Sequence, residues 1–360
     1  MEFDQNTVAI VYNLKPFSII LVNLSGGGNI IVMSHIKYIY TYDDIISVEN
    51  LLKGWKKFVH GKRNRKDVNY FATHLMDNLF ELHYDLKYKI YRHQSYEAFT
   101  ISDPKLRNIH KASVRDRLVH HVFYNAITSY FDRTFISDSY SCRPQKGVHR
   151  AINKFRSYEY IVSRNNTKTC WVLKCDIKKF FASIDHKVLI GILNNDISND
   201  ILLLLKEIIK SFDSGVIGKG LPLGNLTSQL LVNIYMNEFD QYIKHTLRIK
   251  YYIRYADDFV ILDNDKRYLL KILPKINHFL SQHLLLQLHP NKVFIKTISS
   301  GLDFLGWIHF PNHRILRTST KRRMFRNLKG NPKLETIASY MGMLKYGNTK
   351  KIFNRIVDMV

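Results

Sequence analysis

Tyr251-Tyr252-Ile253-Arg254-Tyr255-Ala256-Asp257-Asp258-Phe259-Val260-Ile261-Leu262 sets two adjacent aspartates inside a strand-forming window. Aromatic and β-branched residues on both sides favour extended chain, so the segment reads as two short strands joined in a hairpin at Ala256-Asp257-Asp258. Neighbouring carboxylates repel, and such a pair needs an offsetting cause. Aspartate is common in turns, which is the plain alternative for these two residues. A third acid poses the same question. Asp176 ends the apolar run Trp171-Val172-Leu173-Lys174-Cys175-Asp176-Ile177, where a lone carboxylate is costly to bury unless paired or bound to a cation. Acids at the ends of neighbouring strands converge even when, like Asp176 and Asp257, they lie 81 residues apart. Such hard oxygen ligands suit Mg²⁺, which takes one or two carboxylates together with substrate phosphates. Two such ions about 4 Å apart stabilise the attacking and leaving oxygens of an in-line phosphoryl displacement. The pattern points to metal-assisted phosphoryl transfer, a chemistry that nucleases share.

Outward from the hairpin, Leu221-Pro222-Leu223-Gly224-Asn225 reads as a loop running into a long helix, Thr227 to His245. Asp185 is a candidate N-cap for a helix over Lys187 to Leu193. A helix at 267–283 and strands near 292–298 and 303–309 complete a strand-helix-strand-strand-helix-strand set. Nearer the start, Leu51, Leu52, Trp55, Phe58 and Val59 mark one helix, and Leu75, Leu79, Leu82 and Leu86 a second. Glu97 to Ile101 reads as extended chain before the turn signal Asp103-Pro104. Ser113, with Asp116 behind it, caps a helix running to Phe131. The first 33 residues are apolar and then glycine-rich, without the pattern of a secretory signal. They read as a peripheral extension, with Met33 a candidate natural start.

The charge balance names a class of partner. Lys plus Arg total 54 against 30 Asp plus Glu, a net charge of +24. A compact body so charged repels itself unless a polyanion neutralises it, which favours nucleic acid, with an anionic membrane surface or a merely basic protein as alternatives. From Pro311 to Leu334 the chain carries eight basic residues and no acidic one. Cys142, Cys170 and Cys175 have no zinc-ligand spacing and suggest no disulfide framework, so a reducing cytoplasm is the expected compartment. No apolar run is long enough to predict a transmembrane helix.

These residues resemble a known family. Tyr255-Ala256-Asp257-Asp258 is similar to the catalytic hairpin of reverse transcriptases, and Lys174-Cys175-Asp176-Ile177-Lys178-Lys179-Phe180-Phe181 to their first metal-binding motif, as in bacterial group II intron enzymes. Ser141-Cys142-Arg143-Pro144 with Gly147, Leu221 to Asn225 with Thr227-Ser228-Gln229, and Phe304-Leu305-Gly306-Trp307 follow the family order, so the resemblance runs from about residue 45 to the end. It implies an α+β right hand of fingers, palm and thumb, with a ferredoxin-like antiparallel palm sheet packed on helices. The expected divisions are an extension over 1–33, N-terminal helices and fingers over 34–170, a palm over 171–310 and a short basic helical thumb over 311–360.

The resemblance also implies roles. Asp176, Asp257 and Asp258 would hold two Mg²⁺ ions, or Mn²⁺ in their place, with the Ile177 carbonyl as a further ligand. Phe181 would exclude ribonucleotides at the sugar 2′ position, the alternative being core packing. Lys105 and Arg107 would grip the triphosphate, and Leu223, Gly224 and Gln229 would lie at the nucleotide site. Lys292 would protonate or pair with the leaving pyrophosphate, or else be a solvated lysine. Phe304, Leu305, Gly306 and Trp307 would position the primer end, or else be plain core. Arg143, Lys321, Arg322, Arg323 and Arg326, with Lys329, would bind nucleic acid, chiefly by its phosphates.

One departure narrows the choice. Many members carry glutamine where this chain has Leu223, and Leu223-Gly224-Asn225-Leu226-Thr227-Ser228-Gln229 looks like the enzymes of diversity-generating retroelements. Those copy a template RNA with frequent errors at adenines and have a small basic accessory protein as partner. The expected function is RNA-directed DNA synthesis from template RNA, a primer strand and dNTPs, in a bacterial, archaeal or phage-encoded setting. With the chain ending at Val360, no room for maturase or endonuclease domains is expected after the thumb. A retron-like or defence-associated reverse transcriptase, an RNA-dependent RNA polymerase and a non-catalytic RNA-binding scaffold are the alternatives.

Overall fold

The computed structural model describes residues 41–102, 106–330 and 332–358, and three backbone strands before them. Those three, Ala9–Leu14, Phe17–Asn23 and Asn29–His35, pair antiparallel in chain order. The described chain gathers into two compact units. One comprises the residues up to Ile101 with Arg107–Ile136 and Phe181–Glu238; the other comprises Ser137–Phe180 and the chain from Phe239 onward. No helix among the described residues is long and apolar enough to cross a membrane.

The first unit is mostly helical. Val48–Phe58 buries Leu51, Trp55 and Phe58, and Leu75–Lys87 buries Leu79, Leu82 and Leu86, the spacing of an apolar helix face. Ser113 caps the helix Val114–Thr134 by accepting from the Asp116 backbone N–H. Asp185 does the same for His186–Asn194, taking the N–H groups of Lys187 and Val188. Glu97–Ile101 is a strand, paired with Arg107–Lys111, which the sequence reading leaves unassigned.

The second unit is built on a four-stranded antiparallel sheet. Trp171–Asp176, Tyr252–Tyr255, Asp258–Asp263 and Phe294–Thr297 pair so that, numbered in chain order, they lie side by side as second, third, first, fourth. Side chains alternate across it with period two. Val172, Ile253, Val260 and Leu262 share one face with Ala151 and Phe155 of the helix Val148–Val162 and with Leu302 and Phe304. Phe259 and Tyr252 lie on the other, with the Phe239 ring 5.1 Å from Phe259. The helix Lys266–His283 also packs on this sheet.

Two expectations need correction. The strand expected over 303–309 is a hairpin, Leu302–Phe304 and Trp307–His309, because Leu305 and Gly306 take φ of 50° and 86° and reverse the chain. It pairs with Arg314–Leu316 in a separate three-stranded sheet and is no part of the central one. The helix expected from Thr227 to His245 starts at Leu226 and passes after Gln241 into a π-helical turn over Tyr242–Thr246.

Candidate active site

The sheet register brings the expected acids together. Asp176 stands directly opposite Asp258 on adjacent strands, and Asp257 lies in the turn beside them. The Ile177 N–H donates to the Asp257 carbonyl at 3.2 Å, binding the first strand's end to that turn. Ala256 makes the reversal with φ of 56°, a left-handed conformation uncommon for a residue with a side chain.

A buried network that the sequence reading misses holds this turn. Arg254 and Asp240 are both fully buried; Nε and Nη2 of Arg254 donate to the Asp240 carboxylate at 2.8 and 2.7 Å. Tyr252 Oη donates to the same carboxylate at 2.7 Å, and Arg254 Nη1 donates to the Ala256 carbonyl at 3.2 Å. The arginine therefore braces the turn from behind. Its only sequence-level signal is a charged residue in an apolar strand.

Lysines compensate the acids. Lys292 Nζ lies 2.9 Å from Asp176 Oδ1, and its side chain is 42% exposed. Lys174 Nζ lies 3.2 Å from Asp258 Oδ2, in a far more enclosed setting. Period two explains the second pair, since Lys174 shares the sheet face of Asp176 and Asp258. Burial, helped by the charges of Asp257 and Asp176 and opposed by Lys174, holds the Asp258 carboxyl up at about 6. Asp258 Oδ1 is buried without a hydrogen-bond partner.

These residues fit divalent cations. They offer hard carboxylate oxygens and an orphaned acceptor whose burial is costly unless a cation meets it. Among the described residues, no three acid, histidine or cysteine side chains form a ready-made ion cage.

The other expected residues fall into separate groups. Phe181 is half-buried in the turn Phe180–Ser183, its carbonyl accepting from the Leu221 N–H. The loop after Leu221 is docked on the strand Arg107–Lys111: the Leu223 carbonyl accepts from the His110 N–H at 3.0 Å, and Asn225 Nδ2 donates to the His110 carbonyl. Gly224 has φ of 104°, and a Cβ there would meet Ile109 at 2.8 Å. Gly224 and Gln229 line a cavity of about 310 Å³ with Lys62, Arg65 and Arg117. Arg107 is exposed, and Lys105 lies outside the described residues, as does the Asp103-Pro104 signal.

Arg143 is half-buried, its Nη1 donating to the Ser139 carbonyl. Phe304 and Trp307 are core residues, 0% and 2% exposed, so surface at that hairpin's tip belongs to Leu305 and Gly306. Lys321, Arg322 and Arg326 project from the helix Thr318–Asn327, with Arg323 half-buried. With Lys329 and Arg355 they line a cavity of about 400 Å³ that has no acidic wall. Arg355, from the helix Lys350–Val357, sits over the Phe325 ring and is an addition that sequence spacing does not offer.

Comparison with known proteins agrees with the motifs. Residues 102–309 match the family model described as reverse transcriptase (RNA-dependent DNA polymerase). Protein YkfC of Escherichia coli (strain K12) is 28% identical over 258 residues, 61% of this chain and 66% of that protein. The group II intron-encoded protein LtrA of Lactococcus lactis subsp. cremoris is 27% identical over 147 residues, 39% of this chain and 23% of that protein. The chain thus spans less than two thirds of the length of either relative. The matched segment contains Asp176, Asp257, Asp258 and the strands that carry them, and on that ground the chain belongs to the reverse transcriptase family, in its group II intron-like lineage.

Proposed function

We propose that this protein is an RNA-directed DNA polymerase. The observation that carries the reading is Asp176 opposite Asp258 across a sheet pair, with Asp257 in the adjoining turn, inside a reverse-transcriptase match. Asp176, Asp257 and Asp258 would hold two Mg²⁺ ions, which when bound activate the primer hydroxyl and stabilise the leaving pyrophosphate. Arg254 keeps the turn in place through the Ala256 carbonyl. Lys292, exposed enough to leave Asp176, is read as a cation that meets phosphate. Phe181 is read as the residue that excludes ribonucleotides, and the helix Thr318–Asn327 as a phosphate-binding surface for template RNA and primer. The central sheet is read as the palm of a right-hand polymerase.

Primer extension on a defined RNA template with Mg²⁺ tests this. DNA synthesis from dNTPs, and little from rNTPs, is the expected result. RNA binding without synthesis, even with Mn²⁺ and the flanking native RNA, would replace the reading with a non-catalytic scaffold.

A finer reading is favoured by Leu223. The family resemblance leads one to expect glutamine at this position, and the Leu223 carbonyl is bound to the His110 N–H. A leucine offers no hydrogen bond with which to check a base pair, which supports an error-prone enzyme of a diversity-generating retroelement. A small basic accessory protein is the partner that reading carries with it. Misincorporation opposite template adenines should fall in Leu223→Gln; equal error rates would remove this reading and leave the polymerase intact.

A further inference from the structure

Lys174 opens the first motif, yet neither the motifs nor the proposed chemistry gives it a task of its own. Its residue is 9% exposed, and an ammonium so enclosed needs fixed acceptors. It has two. One is Asp258 Oδ2 at 3.2 Å, and the other is the Asp303 backbone carbonyl, to which Nζ donates at 2.7 Å. Asp303 belongs to the hairpin Leu302–His309, whose turn is Leu305-Gly306. That hairpin has a second tie: Arg317 Nε donates to Asp303 Oδ1 at 2.9 Å, and the Arg317 N–H donates to the Gly306 carbonyl at 3.1 Å. The Lys174 ammonium also lies 5.8 Å from the centre of the Phe304 ring.

We propose that Lys174 is a positioning residue that locks the Asp258 carboxylate and the Leu302–His309 hairpin into one register. The inference rests on the polymerase reading, in which the tip of that hairpin meets the primer terminus. A backbone carbonyl cannot relocate without moving its strand, so an ammonium shared between it and Asp258 transmits any shift of one to the other. Lys292 contrasts with it. That lysine touches Asp176 at one oxygen and is 42% exposed, whereas Lys174 is enclosed and held by two acceptors. Asp258 is thereby held through Oδ2 while Oδ1 stays without a protein partner.

The test uses the full chain with Lys174→Met, which keeps most of the stem's packing and removes the ammonium, alongside Lys174→Arg, Arg317→Ala and the Met/Ala double variant. A fluorescent adenine analogue at the primer 3′ terminus reports seating of that terminus in the metal-free complex with primer–template. Lys174→Met should bind primer–template within about threefold of wild type yet show a more unstacked terminus. Its single-turnover rate should fall by roughly 10- to 100-fold, the scale of an ångström-level misplacement. Lys174→Arg should recover part of both signals, and the double variant should be little worse than the worse single one. An unchanged terminus in both Lys174→Met and Arg317→Ala, or losses that multiply in the double variant, would overturn the proposal. If Lys174→Met melts early, Lys174→Gln carries the fluorescence comparison, with the same expected and contrary results. A wild-type chain that binds primer–template without extending it would sink the polymerase reading, and the fluorescence comparison would still decide the lock.

Discussion

The strand ends that carry Asp176 and Asp258 and the helix Thr318–Asn327 hold charge in opposite ways. In the sheet each of these two acids has its own lysine, Lys292 and Lys174, and behind them Asp240 is matched by Arg254. On the helix, Lys321, Arg322 and Arg326 line a cavity with no acidic wall and stand open to solvent. Compensated charge at fixed distances suits chemistry, since small cations can be exchanged within it. Uncompensated charge of one sign suits a polyanion, which brings its own neutralisation. On the proposed reading catalysis falls to the sheet and holding of nucleic acid to the helix, and each half can be broken separately.

The largest effect belongs to the sheet. Asp176→Asn should slow extension by about three orders of magnitude or more, some 4 kcal/mol of barrier, in single-turnover assays with primer–template in excess. A loss under tenfold would mean that Asp176 holds no essential charge. Next comes the pair behind the turn. Arg254→Met leaves the Asp240 carboxylate buried without its cation, which should cost about 3–5 kcal/mol in denaturant unfolding. Replacing both partners, Arg254→Met with Asp240→Leu, should recover much of that stability but not the rate, because the Ala256 carbonyl still lacks its donor. Recovery of the rate would separate the brace from the site.

The helix should respond in affinity alone. Lys321→Gln, Arg322→Gln and Arg326→Gln together should weaken primer–template binding by about tenfold or more near physiological salt. The slope of log K against log salt should become shallower by about 0.9 for each phosphate that the helix no longer neutralises. The rate at saturating primer–template should hold. An unchanged salt slope would place the nucleic acid elsewhere.

The smallest effect concerns an acid that neither region's pattern covers. Glu159, on the helix Val148–Val162, is buried, and burial pushes its carboxyl from 4.5 up to about 7, with Arg156 only partly opposing. Between those values the native chain keeps a proton that the unfolded chain releases, so stability falls as pH rises across that window. Glu159→Gln should therefore be more stable than wild type at pH 8, by on the order of 1 kcal/mol, and match it near pH 4. Equal melting at both pH values would show that this carboxyl titrates normally.

What the sequence discloses follows from how local each signal is. The hairpin around Ala256-Asp257, the Asp185 and Ser113 caps and the apolar helix faces are written in neighbouring residues, and the structure places them where the pattern does. Val148–Val162 carries such a signal too, in Ala151, Ile152, Phe155 and Val162, although the reading passes it by. The pairing of Lys174 with Asp258 depends on strand register across 84 residues, and no local pattern encodes it. Phe304-Leu305-Gly306-Trp307 misleads for a physical reason. Its apolar content reads as one strand, while the left-handed backbone at Leu305 and Gly306 folds it back and buries both aromatics.

Asp257→Ala, measured for binding and synthesis in one preparation, tests the division of labour most directly. The account predicts primer–template affinity within a few fold of wild type and no detectable DNA on an RNA template in Mg²⁺ with dNTPs. DNA synthesis at anything near the wild-type rate would contradict it, and so would a loss of affinity as large as the loss of synthesis.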